Sequence, residues 1–223
     1  MNIDILQSPA NSIAKVELAP GETLISEAGA MIAMSGDMSV KTNTYSRGGN
    51  KILKGIKRMF SGENFFMNQF QASQNGGDVF LGSSMMGDML TRKIDGELIV
   101  QGGSFVACSN TIDVDTSWQG FKSFFSGESM FWVKLKGEGD VIVNSFGAIY
   151  DIDVEDTYIV DTGHIVAFEE TLEFKVRKAG QGWFSAILGG EGLVCEFKGQ
   201  GKVYCQTHNL PNFGHALAPN LKG

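Results

Sequence analysis

Three glutamates stand in matching phrases: Glu63 in FSGENFF, Glu128 in FSGESMF and Glu191 in LGGEGLV. Carboxylates brought from three places to one axis could hold a cation or a basic ligand. Each follows a glycine (Gly62, Gly127, Gly190). The same pair therefore also suits a turn in which glycine takes an unusual backbone angle and the carboxylate caps nearby N–H groups. The turn is the simpler reading; the three carboxylates remain the candidate cluster.

A second group is basic. Lys51, Lys54, Lys57 and Arg58 follow one another with no acid between Asp37 and Glu63. Ile52, Leu53, Ile56, Met59 and Phe60 alternate with them at helical spacing. A helix with that division has a cationic face and an apolar face, the pattern of a partner contact or of weak binding to an anionic membrane. Matching aromatic segments precede the other two Gly-Glu pairs. Trp118, Phe121 and Phe125 recur at i, i+3 and i+7, and Trp183, Phe184, Ile187 and Leu188 at i, i+1, i+4 and i+5. Short helices covering the ends of a β body are expected there, with Trp118, Phe121 and Trp183 as candidate contacts between subunits.

Other reactive side chains are sparse. His164, His208 and His215 match no compact metal-ligand spacing. Cys195 and Cys205 would face each other if residues 194–205 formed a hairpin about Gln200, close to the reach of a disulfide. The matching positions elsewhere hold Val133 and Val143, and Cys108 matches Met34 and Phe168. Buried, reduced thiols satisfy all these positions. The chain has no P-loop, G-x-G-x-x-G, G-x-S-x-G or H-E-x-x-H pattern, and so no motif for a cofactor or a catalytic metal.

The elements that would position these residues come in threes as well. GAMIAM (29–34), GSFVAC (103–108) and GHIVAF (163–168) share one pattern, as do GDVFL (77–81), GDVIV (139–143) and GKVYC (201–205). Their order is the same each time, which marks an internal triplication. The repeats run over about 1–88, 89–150 and 151–208, with a tail at 209–223, all within one compact body. Ala33, Ala107 and Ala167 are expected to be equivalent and closely packed. MFWVKLKGEGDVIV (130–143) and VCEFKGQGKVYC (194–205) each read as a hairpin around a Gly-containing turn. The fold class is all-β: three pseudo-symmetric, sandwich-like repeats with short helical inserts.

LAPGETLISEAGAMIAMSGDMSVKT, KGIKRMFSGENFF, GGDVFLGS and DGELIVQGGSFVACS occur in this order. In them the chain resembles the altered-inheritance-of-mitochondria protein 24 family, from about Val16 to Thr207. The resemblance implies an all-β fold related to the tryptophan RNA-binding attenuation protein and a tendency to form oligomers. It implies no assigned molecular activity. The mitochondrial inner-membrane role of eukaryotic members is not expected here, because MNIDILQSPANSIAKV has no transit or secretory character.

Function is narrowed by charge. The 223 residues carry a net charge of −7, which repels phosphate backbones and disfavours nucleic-acid binding. No apolar run reaches the ~20 residues of a spanning helix. The expectation is a cytoplasmic, non-catalytic structural or interaction protein that self-associates, with possible contact to anionic membranes. A small-molecule binding module with clefts between repeats is the alternative.

Overall fold

A computed structural model describes residues 1–43, 66–116, 118, 131–178 and 193–221. The first strands are β1 (Asn2–Leu6), β2 (Ile13–Leu18), β3 (Thr23–Glu27), β4 (Met31–Met34), β5 (Ser39–Asn43), β6 (Met67–Gln71) and β7 (Gly77–Leu81). Then come β8 (Met89–Gln101), β9 (Phe105–Ser109), β10 (Asp113–Asp115) and β11 (Trp132–Asn144). The last are β12 (Ile149–Val154), β13 (Thr157–Asp161), β14 (Ile165–Glu169), β15 (Glu173–Lys178), β16 (Leu193–Lys198) and β17 (Gly201–Gln206). Helix α1 (Leu210–Leu217) follows. The protein is mostly β; the described residues form three antiparallel sheets: β1-β2-β7-β4, a large sheet running β12-β17-β14-β8-β11-β9-β3-β6-β5 with β10 on β11, and β13-β16-β15.

Strand identity follows from alternation. In β2, Ala14, Val16 and Leu18 are buried while Lys15 and Glu17 point outward. Period-2 burial of this kind stabilises a one-sided sheet and fixes its register.

Three ribbons of paired strands organise the sheets, the first and third each made of two strand pairs and the second of one long pair. In the first, β2 lies on β7 and β3 on β6. In the second, β8 and β11 pair without interruption from Met89↔Asn144 to Gln101↔Trp132. In the third, β12 lies on β17 and β13 on β16.

Two sequence-based expectations are corrected here. Residues 130–143 do not form a hairpin; β11 is one long strand. Gly137 (φ 143°) faces Gly96 (φ 133°), so both strands pass through a conformation that glycine alone takes without strain. A Cβ on Gly137 would come within 2.7 Å of the Thr111 carbonyl oxygen. The chain runs on through the glycines rather than reversing at them. Residues 194–205 are not a hairpin either: β16 pairs with β13 and β15, and β17 with β12 and β14. Cys195 lies opposite Val160 and Val176, and Cys205 opposite Tyr150 and Ile165.

A further strand lies on each ribbon with one and the same irregularity. Met31 pairs with Leu81, Ala33 with Phe80 and Met34 with Val79, skipping Ile32. Phe105, Ala107 and Cys108 pair with Val143, Ile142 and Val141. Ile165, Ala167 and Phe168 pair with Cys205, Tyr204 and Val203. The hydrogen bonds beside these strands also match. Ser35 Oγ accepts from the Asp78 amide at 2.9 Å, Ser109 Oγ from Asp140 at 2.8 Å, and Glu169 Oε2 from Lys202 at 3.0 Å.

The ribbons are joined by two further ladders. Leu24, Ile25 and Ser26 of β3 pair with Ser109, Cys108 and Ala107 of β9. Leu98, Ile99 and Val100 of β8 pair with Glu169, Phe168 and Ala167 of β14. Each junction mixes the cores it separates. Val106, Ala107 and Ile142 pack in the first core with Val16, Leu24 and Phe70. Val166, Ala167 and Tyr204 pack in the second with Leu98, Phe105 and Leu135. The third contains Ile99 together with Val160, Phe168 and Phe197.

The expected equivalence of the three alanines holds only in part: Ala107 and Ala167 are fully buried, whereas Ala33 is exposed. The expected helical inserts fall in residues 44–65, 119–130 and 179–192, outside the described residues. The tail carries a helix that sequence reasoning missed. Its signals were Asn209, whose side chain accepts from the Asn212 amide, a proline in the first turn, and apolar Leu210, Phe213 and Leu217.

Candidate functional site

The candidate carboxylates Glu63, Glu128 and Glu191 lie outside the described residues, as do Lys51, Lys54, Lys57, Arg58, Phe121 and Trp183. Among the described residues no three His, Cys, Asp or Glu side chains come together as a metal site. The histidines are separate. His164 Nδ1 is 2.7 Å from the Gln206 carbonyl oxygen, the His208 ring lies 5.2 Å from that of Phe146, and His215 is in α1.

One buried acid, Asp88, binds the chain to itself. Asp88 Oδ1 accepts from Ser12 Oγ at 2.6 Å, Ser8 Oγ at 2.9 Å and the Met89 amide at 2.9 Å. These bonds tie the segment between β1 and β2 to the start of β8. The cysteines are free and buried. Desolvation pushes the Cys195 and Cys205 thiols up to about 12 and Cys108 higher still, so thiolate is disfavoured at all three.

Trp118 is drawn inward. Its ring lies 5.6 Å from Phe174 and 6.3 Å from Phe168, which in turn meets Trp132 at 5.8 Å and Phe197 at 5.1 Å. The candidate subunit contact thus packs on the third core, because that core offers an aromatic cluster to a half-buried indole.

One acid has an unusual environment. Glu27 ends β3, and desolvation raises its carboxyl to about 7. Gln101 and Asp161 end β8 and β13 in the same way. Their side-chain oxygens accept hydrogen bonds, from Ser104 Oγ at 3.0 Å and the Gly163 amide at 2.8 Å.

Two sheet edges among the described residues carry exposed apolar side chains. Among the described residues, β4 borders its sheet and pairs only with β7, and β13 borders another and pairs only with β16. Ile32 is 57% exposed, against 1% for Val106 and 0% for Val166 at the skipped position of β9 and β14. Met31 and Tyr158 are also exposed, at 42% and 46%. Strand edges bearing apolar side chains and no guarding lysine or proline are templates for pairing with another strand. Sequence reasoning did not find this site. Its only signal is that the GAMIAM strand comes first of three and so has no earlier ribbon in the chain to lie against.

Among the described residues no helix is long and apolar enough to cross a membrane. A family model described as mitochondrial biogenesis AIM24 matches residues 3–208. An uncharacterised protein of Streptococcus pyogenes serotype M6 is 26% identical, with 97% of this chain and 90% of that protein covered. A crystal structure of a Streptococcus pyogenes protein superposes with a TM-score of 0.77 at 26% identity, covering 99% of both chains.

Proposed function

The chain belongs to the AIM24 family, and on that premise we propose that it is a non-catalytic structural protein that assembles with copies of itself. Its body is built from three copies of one β unit, over residues 1–88, 89–150 and 151–208, in an arrangement related to the tryptophan RNA-binding attenuation protein. The shared skip at Ile32, Val106 and Val166 supports this, as do the matching hydrogen bonds to Ser35, Ser109 and Glu169.

One contrast carries the reading. Asp88, the three thiols and Trp118 are engaged in holding the fold, while apolar sheet edges stay bare. Groups positioned for chemistry would need access to a substrate; groups positioned for assembly need unpaired backbone and exposed apolar side chains. Light-scattering mass across a dilution series tests the proposal. A multiple of the single-chain mass is expected; the single-chain mass at every concentration overturns it.

The basic run Lys51, Lys54, Lys57 and Arg58 adds a contact for anionic lipid, supported by its charge pattern alone. Each basic side chain near such a surface contributes ~1 kcal/mol. Sedimentation with anionic vesicles is expected, and is lost in the triple variant Lys54→Glu, Lys57→Glu, Arg58→Glu. Absence of binding, or equal binding to neutral vesicles, removes this part of the reading.

A further inference from the structure

We propose that helix α1, with Leu221 just beyond it, is a lipid-binding element that lays its apolar stripe into the headgroup boundary of an anionic membrane. It adds a surface of its own to the lipid contact proposed above and does not depend on the basic run.

The start of the helix is fixed to the body. The Thr207 and His208 amides donate to the Ala148 and Phe146 carbonyl oxygens at 3.0 and 3.1 Å, and Thr207 Oγ1 accepts from the Ala148 amide at 2.9 Å. Asn209 caps the first turn, and the Phe213 ring meets that of Phe146 with centroids 5.2 Å apart. Yet α1 buries none of its residues. Leu210, Phe213 and Leu217 recur at i, i+3 and i+7, one stripe of the helix, and Leu221 follows at i+11 past a 3-10 turn over Ala218–Asn220. All four are exposed, Leu221 at 70%. Met86, 65% exposed, extends the patch, because its carbonyl oxygen accepts from the Gly147 amide in the same turn that holds Thr207 and His208. Helices shorter than ~12–15 residues are marginal in water, so eight residues that bury nothing call for a surface to lie against.

Charge and chemistry identify that surface as lipid. The chain has 25 Asp and Glu residues, all of them at or before Glu196. Beyond it stand Lys198, Lys202, His208, His215 and Lys222. The helix therefore belongs to the one long stretch of an acidic protein that does not repel anionic headgroups. From Leu210 to Leu221 there is no Asp, Glu, Lys or Arg, so the stripe enters the acyl boundary without desolvating a full charge. His215 falls on the side of the helix away from the stripe, toward the headgroups. A second copy is the natural cover for a strand edge, whose unpaired N–H and C=O groups ask for another strand. The backbone of α1 bonds within the helix and offers side chains alone, which suits a non-directional apolar phase.

Fluorescence from the helix tests this. Leu217→Cys is labelled with an environment-sensitive dye; the three native thiols are buried and stay unlabelled in the folded protein. Vesicles of phosphatidylcholine with phosphatidylglycerol are added, and sedimentation is read alongside. A blue shift in the vesicle-bound protein is expected. Leu210→Ser combined with Leu221→Ser lowers vesicle binding at least about tenfold, with circular dichroism unchanged because neither side chain is buried. A blue shift that survives Lys54→Glu, Lys57→Glu, Arg58→Glu upholds the helix even where the basic run contributes nothing. Protein that sediments with vesicles while the label keeps its spectrum overturns this inference and leaves the basic run in place. A label that shifts with protein concentration, without vesicles, places a second copy on the stripe and also overturns it. An equal shift on phosphatidylcholine alone overturns the assignment to anionic lipid, and neither binding nor shift overturns both lipid contacts.

Discussion

Ser26 and Ala107 face each other across the β3–β9 ladder, and neither has any solvent exposure. Val100 and Ala167 stand in the same relation across β8–β14. Ala33 has a partner on one side only and is exposed. One short phrase thus encodes a buried junction twice and an open edge once, and the difference lies in what stands beside it.

Core alanines at the two closed junctions have no room for growth. Ala107→Leu and Ala167→Leu are each expected to lower stability by about 1–3 kcal/mol, because extra methylenes force neighbouring side chains off their rotamers. Ala33→Leu leaves the stability of the dissociated chain within about 0.5 kcal/mol. Urea titration at a concentration below assembly checks all three; equal losses at the three positions would remove the distinction between closed and open edges.

Glu27 makes stability depend on pH. Its carboxyl is raised from about 4.5 to about 7 by burial, so the folded state holds its proton more tightly than the unfolded state. Its contribution is fully present below pH 4.5 and is lost as pH rises through 7. Glu27→Gln is therefore expected to match the native protein at pH 4.5 and to exceed it at pH 7.5. The gain is about 1–2 kcal/mol, reduced from the ~1.4 kcal/mol per unit conversion because the side chain is partly exposed. Thermal unfolding at the two pH values reads the effect, and a variant equally stabilised at both would contradict it.

Trp118 is expected to act on stability rather than on assembly. Trp118→Ala removes its ring from Phe168 and Phe174 and costs about 2–4 kcal/mol, toward the lower part of the range for buried aromatic truncations because the indole is half-buried. Oligomer mass under native conditions stays unchanged. A fall in mass with no loss of stability would return Trp118 to the subunit contact that its helical spacing suggested.

The likeness of β4, β9 and β14 was legible in the sequence, because Gly, Ala and the apolar positions around them recur in fixed order and the three strands skip a residue at the same place. The ribbons were not. A glycine between two apolar runs reads as a turn, yet Gly96 and Gly137 face each other within uninterrupted paired strands. Only the partner strand, distant in sequence, decides between reversal and continuation. The open edges were illegible for a related reason. Ile32 and Val106 occupy the same place in their phrases and are both apolar, but Val106 enters a neighbouring core while Ile32 enters none of the cores formed by the described residues. Likewise, burial of Glu27 depends on tertiary surroundings, and nothing in TLISEAG announces it. The carboxylates that stood out first, Glu63, Glu128 and Glu191, fall outside the described residues.

The central claim is that exposed apolar strand edges exist to be covered by another copy of the chain. Ile32→Lys tests it most directly, because Ile32 is exposed in the single chain and a lysine there guards the edge without disturbing a core. Sedimentation velocity of the native protein and this variant, with circular dichroism to verify the β content, is the measurement. The account predicts an assembly for the native protein and a folded single chain for Ile32→Lys; an assembly of the same mass in both would contradict it.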